Sequence, residues 1–202
     1  MWTPSVVVMR PRLTSHLQDG VFQPVKAAAM CSVAAYFVNP GEAGREFAAK
    51  CAENVEFVLY RTIGTLNESS VLLSIMNLVH NFYSGQYAKC WQGHALAWRL
   101  VQALQLNWEH HSDYRQNFLR REINRRLAWQ LFMIDRQLAG GFDEYILVRE
   151  EHMRLRLPSG DQSFRENSPA VMDVLNGNKP TQCQSIAGYT LRLMNIRHHI
   201  LW

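Results

Sequence analysis

The sequence predicts an all-α protein, a single domain of about seven helices in an irregular array. Apolar residues recur at intervals of three and four along most of the chain, the spacing that places side chains on one face of a helix. Short clusters of Gly, Pro, Asn and Ser separate these stretches, and such residues begin and end helices. No stretch calls for a β-sheet, and there is no internal repeat or low-complexity segment.

Length and composition favour a soluble, intracellular protein. A chain of 202 residues with 48% hydrophobic content can fold without cross-links, since a domain of this size buries roughly 70% of the surface that its unfolded chain exposes. The four cysteines, Cys31, Cys51, Cys90 and Cys183, are scattered, which suits neither a disulfide framework nor a zinc site. We interpret them as small buried side chains of a protein from a reducing compartment.

The charge and hydropathy patterns exclude two further classes of protein. The net charge of +4 is mild and comes mainly from arginine, which is not typical of a DNA-binding domain. No uninterrupted apolar run approaches the roughly 20 residues needed to cross a bilayer, so we expect no membrane partner.

The first half of the chain is predicted to contain four helices. Residues 1–20 carry Pro4, Pro11 and Gly20 and are interpreted as a loosely ordered lead-in to a helical domain at 21–202. A first helix covers 25–37, with Pro24 in its first turn and the stop at 39–41. A second helix runs from 42 to about 66, where Gly64 frays its end.

Asn67 is predicted to cap the third helix, which ends at Ser84 and Gly85. A fourth helix follows over 86–106, and a polar connection over 107–116 leads to the next one. Ser112 or Asp113 can cap that helix.

The fifth helix, which begins near Arg120, is predicted to lie near the middle of the protein. Trp129, Phe132 and Met133 form a second apolar flank, so only a narrow strip remains for solvent. Asp135 on such a helix needs a hydrogen-bond partner and is expected to anchor another segment. The main apolar face consists of Ile123, Leu127, Leu131, Ile134 and Leu138.

Two features at the ends of this helix have local explanations. Gly140 and Gly141 are predicted to end it, because glycine enters the left-handed conformation cheaply, and a phosphate cradle is disfavoured since no strand precedes them. The basic cluster at its start could contact nucleic acid, but the spacing favours a solvated strip that Glu122 partly neutralises. The cluster comprises Arg115, Arg120, Arg121, Arg125 and Arg126.

Two more helices are predicted after Pro158. Ser168 and Pro169 suit the cap and first turn of a short helix through Leu175, which the turn residues at 177–180 end. Thr181 is predicted to cap the last helix, which extends to about Ile200.

The fifth helix and the segment after it carry a motif. It consists of an acidic residue and paired arginines, a tryptophan, a phenylalanine, an Asp-Arg pair, a glycine turn and a closing Leu-Pro. Its members are Glu122, Arg125, Arg126, Trp129, Phe132, Ile134, Asp135, Arg136, Gly141, Leu157 and Pro158. The motif resembles the signature of the regulatory middle domain of fungal zinc-cluster transcription factors. Ala128 stands where the family has the first of two tryptophans, and 141–143 replaces its Gly-Arg-Pro turn.

The third and fourth helices resemble a helical hairpin of the same family. Ala97, Arg99 and Ala103 match its Ala-x-Arg-x-Ala-like core. Residues 104–107 stand at its Leu-Gly-Leu-His end, with Gln105 and Asn107 in place of the glycine and the histidine. The resemblance covers roughly residues 20–200.

The resemblance implies a nuclear transcriptional regulator, specifically the effector-sensing domain of a zinc-cluster-type factor. Zinc is expected only in a DNA-binding module outside the chain, since such clusters use six closely spaced cysteines. No cofactor and no direct DNA binding are expected of the chain alone. The implied partners are other transcription factor subunits or a second copy, with a small-molecule effector as a possibility.

Catalytic and metal sites have little support in the sequence. The neighbouring histidines at 110–111 and 198–199 point to different sides of any helix and lack a third ligand. No serine lies in a Gly-x-Ser-x-Gly turn, and the charged residues 150–152 favour a solvated turn over an acid-base set. We therefore expect no enzyme.

Two other functions remain open. The chain could be a helical small-molecule-binding protein with a pocket between helices, where His94, Trp98, Arg99 and Asp135 would converge. It could also be an interaction scaffold, which an exposed apolar patch would support.

Overall fold

The computed structural model describes residues 24–109, 117–169, 172–177 and 185–201. The helices within these ranges are α1 (Pro24–Val38), α2 (Glu42–Arg61), α3 (Glu68–Tyr83), α4 (Tyr87–Ala103), α5 (Phe118–Ala139), α6 (Asp161–Arg165) and α7 (Ile186–Leu201), with 3-10 turns at Asp143–Tyr145 and Glu150–His152. Within these ranges, the β-type backbone pairing is limited to one isolated bridge between Trp108 and Arg154. The all-α prediction is confirmed.

The chain divides between Leu100 and Val101 into two compact units. The predicted boundary between a lead-in and a helical domain, at residue 20, lies outside the described residues and stays a prediction. None of the helices in the described part of the chain is long and apolar enough to cross a bilayer.

In the first unit, α1, α2 and α3 pack against each other around small and branched side chains. Ala29 of α1, Val55 of α2 and Leu73 of α3 form one buried cluster. Small residues let the α1 and α2 backbones approach closely: a Cβ on Gly44 would lie 1.8 Å from the Asn39 carbonyl oxygen. This connection therefore requires glycine.

The caps of α3 agree with the prediction. The Asn67 side chain accepts a hydrogen bond from the Ser69 amide at 2.8 Å, and Gly85 follows the helix with a φ of 76°. The Gln86 amide donates to the Asn81 carbonyl at 2.8 Å, which is the long bond of a Schellman motif.

Two helices in this half end earlier than predicted. α2 ends at Arg61 rather than near 66, because the Thr62 hydroxyl donates to the Val58 carbonyl at 2.9 Å and Gly64 turns with a φ of 91°. α4 ends at Ala103 rather than at 106 in another Schellman motif, in which Leu106 N donates to Val101 O at 2.9 Å. Gln105 occupies its left-handed position with a φ of 55°.

In the second unit, α5 is the central element. Trp129, Leu131 and Phe132 are buried almost completely, as the two apolar flanks predict. The helix ends at Gly140 with a φ of 60°, in agreement with the glycine stop. Its cap is Asn117, whose side chain accepts from Leu119 N at 3.0 Å. The predicted caps at 112 and 113 lie outside the described residues.

The helix predicted over 168–175 is wrong for the part of it that the structure describes. Residues 168–169 and 172–174 are not helical, and the short helix α6 lies earlier. The reason is tertiary: Leu157 N donates to the Asp173 carbonyl at 2.7 Å, and Arg192 of α7 donates to the Val174 carbonyl at 3.0 Å. These bonds use backbone groups that a helix would have paired internally.

The last helix, α7, extends through Leu201, close to its predicted end. Ser185 precedes it and accepts from the Gly188 amide at 3.0 Å, as a helix cap does. The predicted cap, Thr181, lies outside the described residues. The Ser185 hydroxyl also donates to the Pro158 carbonyl at 2.5 Å and so ties the start of α7 to the end of the motif.

Candidate functional site

Glu122 is the centre of a buried ionic cluster at the start of α5. Its side chain is fully buried, and Oε1 accepts from Arg126 Nε at 3.0 Å and from Ser159 N at 2.8 Å. Oε2 accepts from Arg125 Nη1 at 2.5 Å. A carboxylate this deep remains charged only when donors of this kind replace its water.

The two arginines extend the cluster to the segment that follows α5. Arg125 Nη2 also pairs with Glu109, whose second oxygen accepts from Arg156 N at 3.3 Å. Arg126 donates to the Ser159 carbonyl at 2.8 Å and to Asp161 Oδ1 at 3.1 Å. The cluster therefore holds residues 156–161 against α5.

This arrangement corrects the prediction of a solvated arginine strip. Arg125 and Arg126 are each only 7% exposed, whereas Arg120 is exposed and Arg121 is half-buried. Arg115 lies outside the described residues. The physical reason is that Glu122, one turn earlier, pairs with both arginines inside the protein, while Glu109 and Asp161 supply further negative charge. Arg126 also stacks 4.4 Å over the Phe164 ring.

A second polar cluster lies near the end of α5. Asp135 is 1% exposed and accepts from Leu147 N at 3.1 Å and from Val148 N at 3.0 Å. The same carboxylate accepts from Arg136 Nη1 at 3.0 Å. Segment 147–148 is thus the one that Asp135 was expected to anchor.

Arg136 connects this cluster to α7. It donates to the Val148 carbonyl at 3.0 Å and to Asn195 Oδ1 at 3.3 Å, and it lies 4.2 Å over the Phe132 ring. Burial lowers the pKa of the Arg136 guanidinium, and the charge of Asp135 opposes that shift. The ion pair with Asp135 therefore stabilises the buried guanidinium of Arg136.

The apolar members of the motif make structural contacts as well. Trp129 donates its Nε1 proton to the Arg156 carbonyl at 2.8 Å, and its ring meets Phe132 edge-on. Gly141 has a φ of 103°, and a Cβ there would lie 2.6 Å from Leu201 Cβ. The motif therefore fixes residues 146–161 and α7 onto α5.

The 3-10 turn at Glu150–His152 is the turn that the charged residues predict, but Glu150 is not simply solvated. It accepts from Asn176 at 2.8 Å and lies 3.0 Å from His199 Nε2. Burial raises the pKa of Glu150, and hydrogen bonds from Asn176, Asn195 and His199 outweigh that effect and leave it lowered. These partners give the residue a structural role.

The four residues of the predicted inter-helix pocket have different surroundings. His94 and Trp98 are buried on α4, and Arg99 on the same helix is exposed. Asp135 belongs to the second unit, where the bonds described above occupy both of its oxygens. The pocket stays a prediction.

Several residues of the two clusters carry no signal in the sequence. Glu109, Ser159, Asp161 and Asn195 lie outside α5, and nothing in their local pattern marks them as partners of its arginines. The described residues contain no group of three His, Cys, Asp or Glu side chains that could hold a metal ion.

The sequence matches a known protein family. The family model described as the fungal specific transcription factor domain matches residues 13–201. The chain belongs to this family. Both buried clusters lie within the matched residues.

Three relatives match the chain over a part of their own length. The Zn(2)-C6 fungal-type transcription factors FTF1c and FTF2 of Fusarium oxysporum are each 27% identical, over 85% and 74% of this chain and 20% and 15% of their own lengths. An uncharacterised transcriptional regulatory protein of Schizosaccharomyces pombe is 25% identical over 92% of the chain and 22% of its own length. The chain thus spans about a fifth of these relatives. No solved structure matches it significantly.

Proposed function

We propose that the chain is the effector-sensing regulatory region of a fungal zinc-cluster-type transcription factor. The observation that carries this proposal is the family match, which covers residues 13–201. Relatives with the same region are named Zn(2)-C6 fungal-type transcription factors and are several times longer. The region would act with a DNA-binding module or partner outside the chain.

The distribution of functional groups supports regulation over catalysis or DNA reading. The charged residues of the motif hydrogen-bond to one another and to the backbone, so they are not available to a substrate or to phosphates. Cys31, Cys51 and Cys90 are free thiols on three separate helices. Zinc would therefore belong to the separate module, and the assembled factor would act in the nucleus.

An effector would need more room than the small cavity beside α7 provides. That cavity, lined in part by Leu157, Met172 and Gly188, has a volume of about 10 Å³, enough for one water molecule. Of the predicted pocket residues, His94, Trp98 and Arg99 on α4 remain our candidates for effector contacts, because Leu147, Val148 and Arg136 already occupy the oxygens of Asp135.

A reporter assay tests the regulatory role. The chain is inserted between an unrelated DNA-binding module and an unrelated activation segment, and transcription is measured over a panel of nutrient conditions. We expect the inserted chain to make the output depend on one or more conditions. Replacement of Trp98 by Ala should reduce that dependence, whereas the exposed Leu66→Asp change should not. Output that never differs from the fusion without the chain would contradict the proposal.

A gel-shift assay tests the separation from DNA reading. The chain alone should show no site-selective retention of promoter fragments, because its motif arginines are buried in ion pairs. The same chain fused to a DNA-binding module is the positive control. Tight, site-selective retention by the isolated chain would overturn this part of the proposal.

A further inference from the structure

One face of α7 is buried, and a second, apolar face is exposed. Its inner face, which includes Leu191, Asn195 and His198, is buried. The other face has exposed apolar side chains at successive intervals of three, four, three and four residues. We name this face the outer stripe, and its members are Ile186, Tyr189, Leu193, Ile196 and Ile200.

The spacing of the outer stripe is that of a coiled-coil seam. Intervals of three and four reproduce the a and d positions of a heptad, at which one helix packs against another. Ile186 is 86% exposed, Leu193 is 65% exposed and Ile200 is 77% exposed. Single exposed apolar residues are common on protein surfaces, but a continuous row along one helix is typical of a binding surface.

The charges beside the stripe indicate what kind of helix would fit. α7 contains no Asp or Glu, and the positions that flank the stripe are Thr190, Arg192, Arg197 and His199. Asp173 and Glu150 already pair with Arg192 and His199. Arg197 is exposed on the same side and has no ion-pair partner among the described residues.

A second copy of α7 would offer Arg197 no carboxylate, since α7 contains no Asp or Glu. In a parallel pair, Arg197 of one helix would face Arg192 of the other, which Asp173 already pairs with, and in an antiparallel pair it would face Thr190 or another arginine. Neither arrangement gives Arg197 an ion pair, whereas a helix with acidic flanks does. The charge pattern therefore favours an acidic partner over self-association through this face.

We propose that the outer stripe of α7 docks an acidic amphipathic helix, with apolar residues at heptad spacing and Glu or Asp at the flanking positions. Arg197 supplies the charge that such a helix meets first, and the apolar side chains supply the contact area. This docking requires no effector, so it can fail or succeed independently of the regulatory function proposed above.

Peptide binding to the full chain tests the proposal. The probe is a fluorescent helical peptide with Leu at a and d and Glu at e and g, and binding is followed by anisotropy. One control peptide has Lys at e and g, and another has the acidic composition with its leucines out of register. We expect the acidic in-register peptide to bind at least tenfold more tightly than either control, and more weakly as salt is raised.

Two substitutions locate the binding face and its charge preference. Leu193→Asp should weaken binding of the acidic peptide at least tenfold, and the matched Leu66→Asp change at an equally exposed leucine elsewhere should leave it unchanged. Arg197→Glu should reverse the preference between the acidic and the lysine peptides. Circular dichroism confirms that each variant is folded.

Three outcomes would overturn the proposal. Equal binding of the three peptides would remove the charge and register requirement. Full retention of binding in Leu193→Asp would place the site elsewhere. A concentration-dependent dimer in sedimentation that Leu193→Asp abolishes would show that a second copy occupies the stripe.

Discussion

Asp135 is a buried carboxylate whose hydrogen bonds can be tested directly, because partners on two segments depend on it. Its oxygens accept from the amides of Leu147 and Val148, and Arg136 pairs with it at 3.0 Å. Asp135→Ala would leave these donors without their acceptor in the interior. We expect the free energy of unfolding to fall by about 3 kcal/mol in chemical denaturation.

Asp161→Ala is the control for this prediction. Asp161 also pairs with a motif arginine, but its side chain is 51% exposed. Since exposed ion pairs contribute little, its loss should cost less than about 1 kcal/mol. Equal losses in the two variants would show that the burial of Asp135 does not determine its contribution.

Gln105 is a residue at which a substitution should raise the stability of the protein. It has a φ of 55° in the turn that ends α4, a conformation in which a side chain clashes with its own backbone. Gln105→Gly should therefore raise the free energy of unfolding by about 0.5 to 1 kcal/mol, after allowance for the greater freedom of glycine in the unfolded chain. Gln105→Ala retains the clash and should give no gain. A loss of stability in the glycine variant would contradict this explanation.

At the level of elements, the stop after α5 depends on two glycines with different surroundings. Gly140 has a φ of 60° and open space around it, whereas Gly141 has a φ of 103° and faces Leu201. Gly140→Ala should cost about 1 to 2 kcal/mol, the usual penalty of the left-handed conformation. Gly141→Ala should cost more, because a Cβ there would also overlap Leu201 Cβ at 2.6 Å.

A double variant separates the two contributions at Gly141. Leu201→Gly removes the atom that the new Cβ would meet, so Gly141→Ala should cost less in that background. The measurement is the midpoint of thermal unfolding for the four proteins of the cycle. If the effects of the two substitutions are strictly additive, Leu201 does not contribute to the cost of a Cβ at Gly141.

Polar side chains join α7 to α5 and to the turn that follows α5. Arg136 reaches Asn195, and His198 lies 2.9 Å from Asp143 in the turn that follows α5. These polar contacts, together with the Ser185 bond to Pro158, occupy the inner face of α7. They hold the helix in place while its outer stripe remains open to a partner.

At the level of the whole molecule, stability should depend on pH through a histidine of the first unit. His80 is 3% exposed, with Nδ1 3.3 Å from the Ser32 carbonyl oxygen. Burial lowers the pKa of His80, which Ser32 and Glu56 only partly oppose. The unfolded chain therefore binds a proton at higher pH than the folded one, and stability is lost as the pH falls below about 6.5.

His80→Gln should reduce this acid sensitivity. The comparison is between the free energies of unfolding of the two proteins at pH 7.5 and pH 5.5. The wild-type chain should lose more stability over this interval than the variant. Glu150 and Asp173 have lowered pKa values and destabilise only in more acidic solution, below their ordinary range near 4. An identical pH profile for the variant would exclude His80 as the cause.

The helices were predictable because their signals are local. Asn67 caps α3, and Gly140 stops α5, since a cap or a left-handed turn involves only neighbouring backbone groups. Residues 168–175 show the limit of such signals. Their Ser-Pro start is typical of a helix, yet Leu157 and Arg192 bind the backbone of this segment from distant positions.

The sequence by itself determined the all-α class, most helix ends, the family of the chain, and the need of Asp135 for a partner. Only the tertiary structure decided which arginines are buried. Arg120 and Arg126 belong to the same basic cluster, but one is exposed and the other is enclosed by Glu122, Ser159 and Asp161. The physical reason is that helix formation depends on residues a few positions apart, whereas the burial of a charge depends on which distant groups fold back to neutralise it.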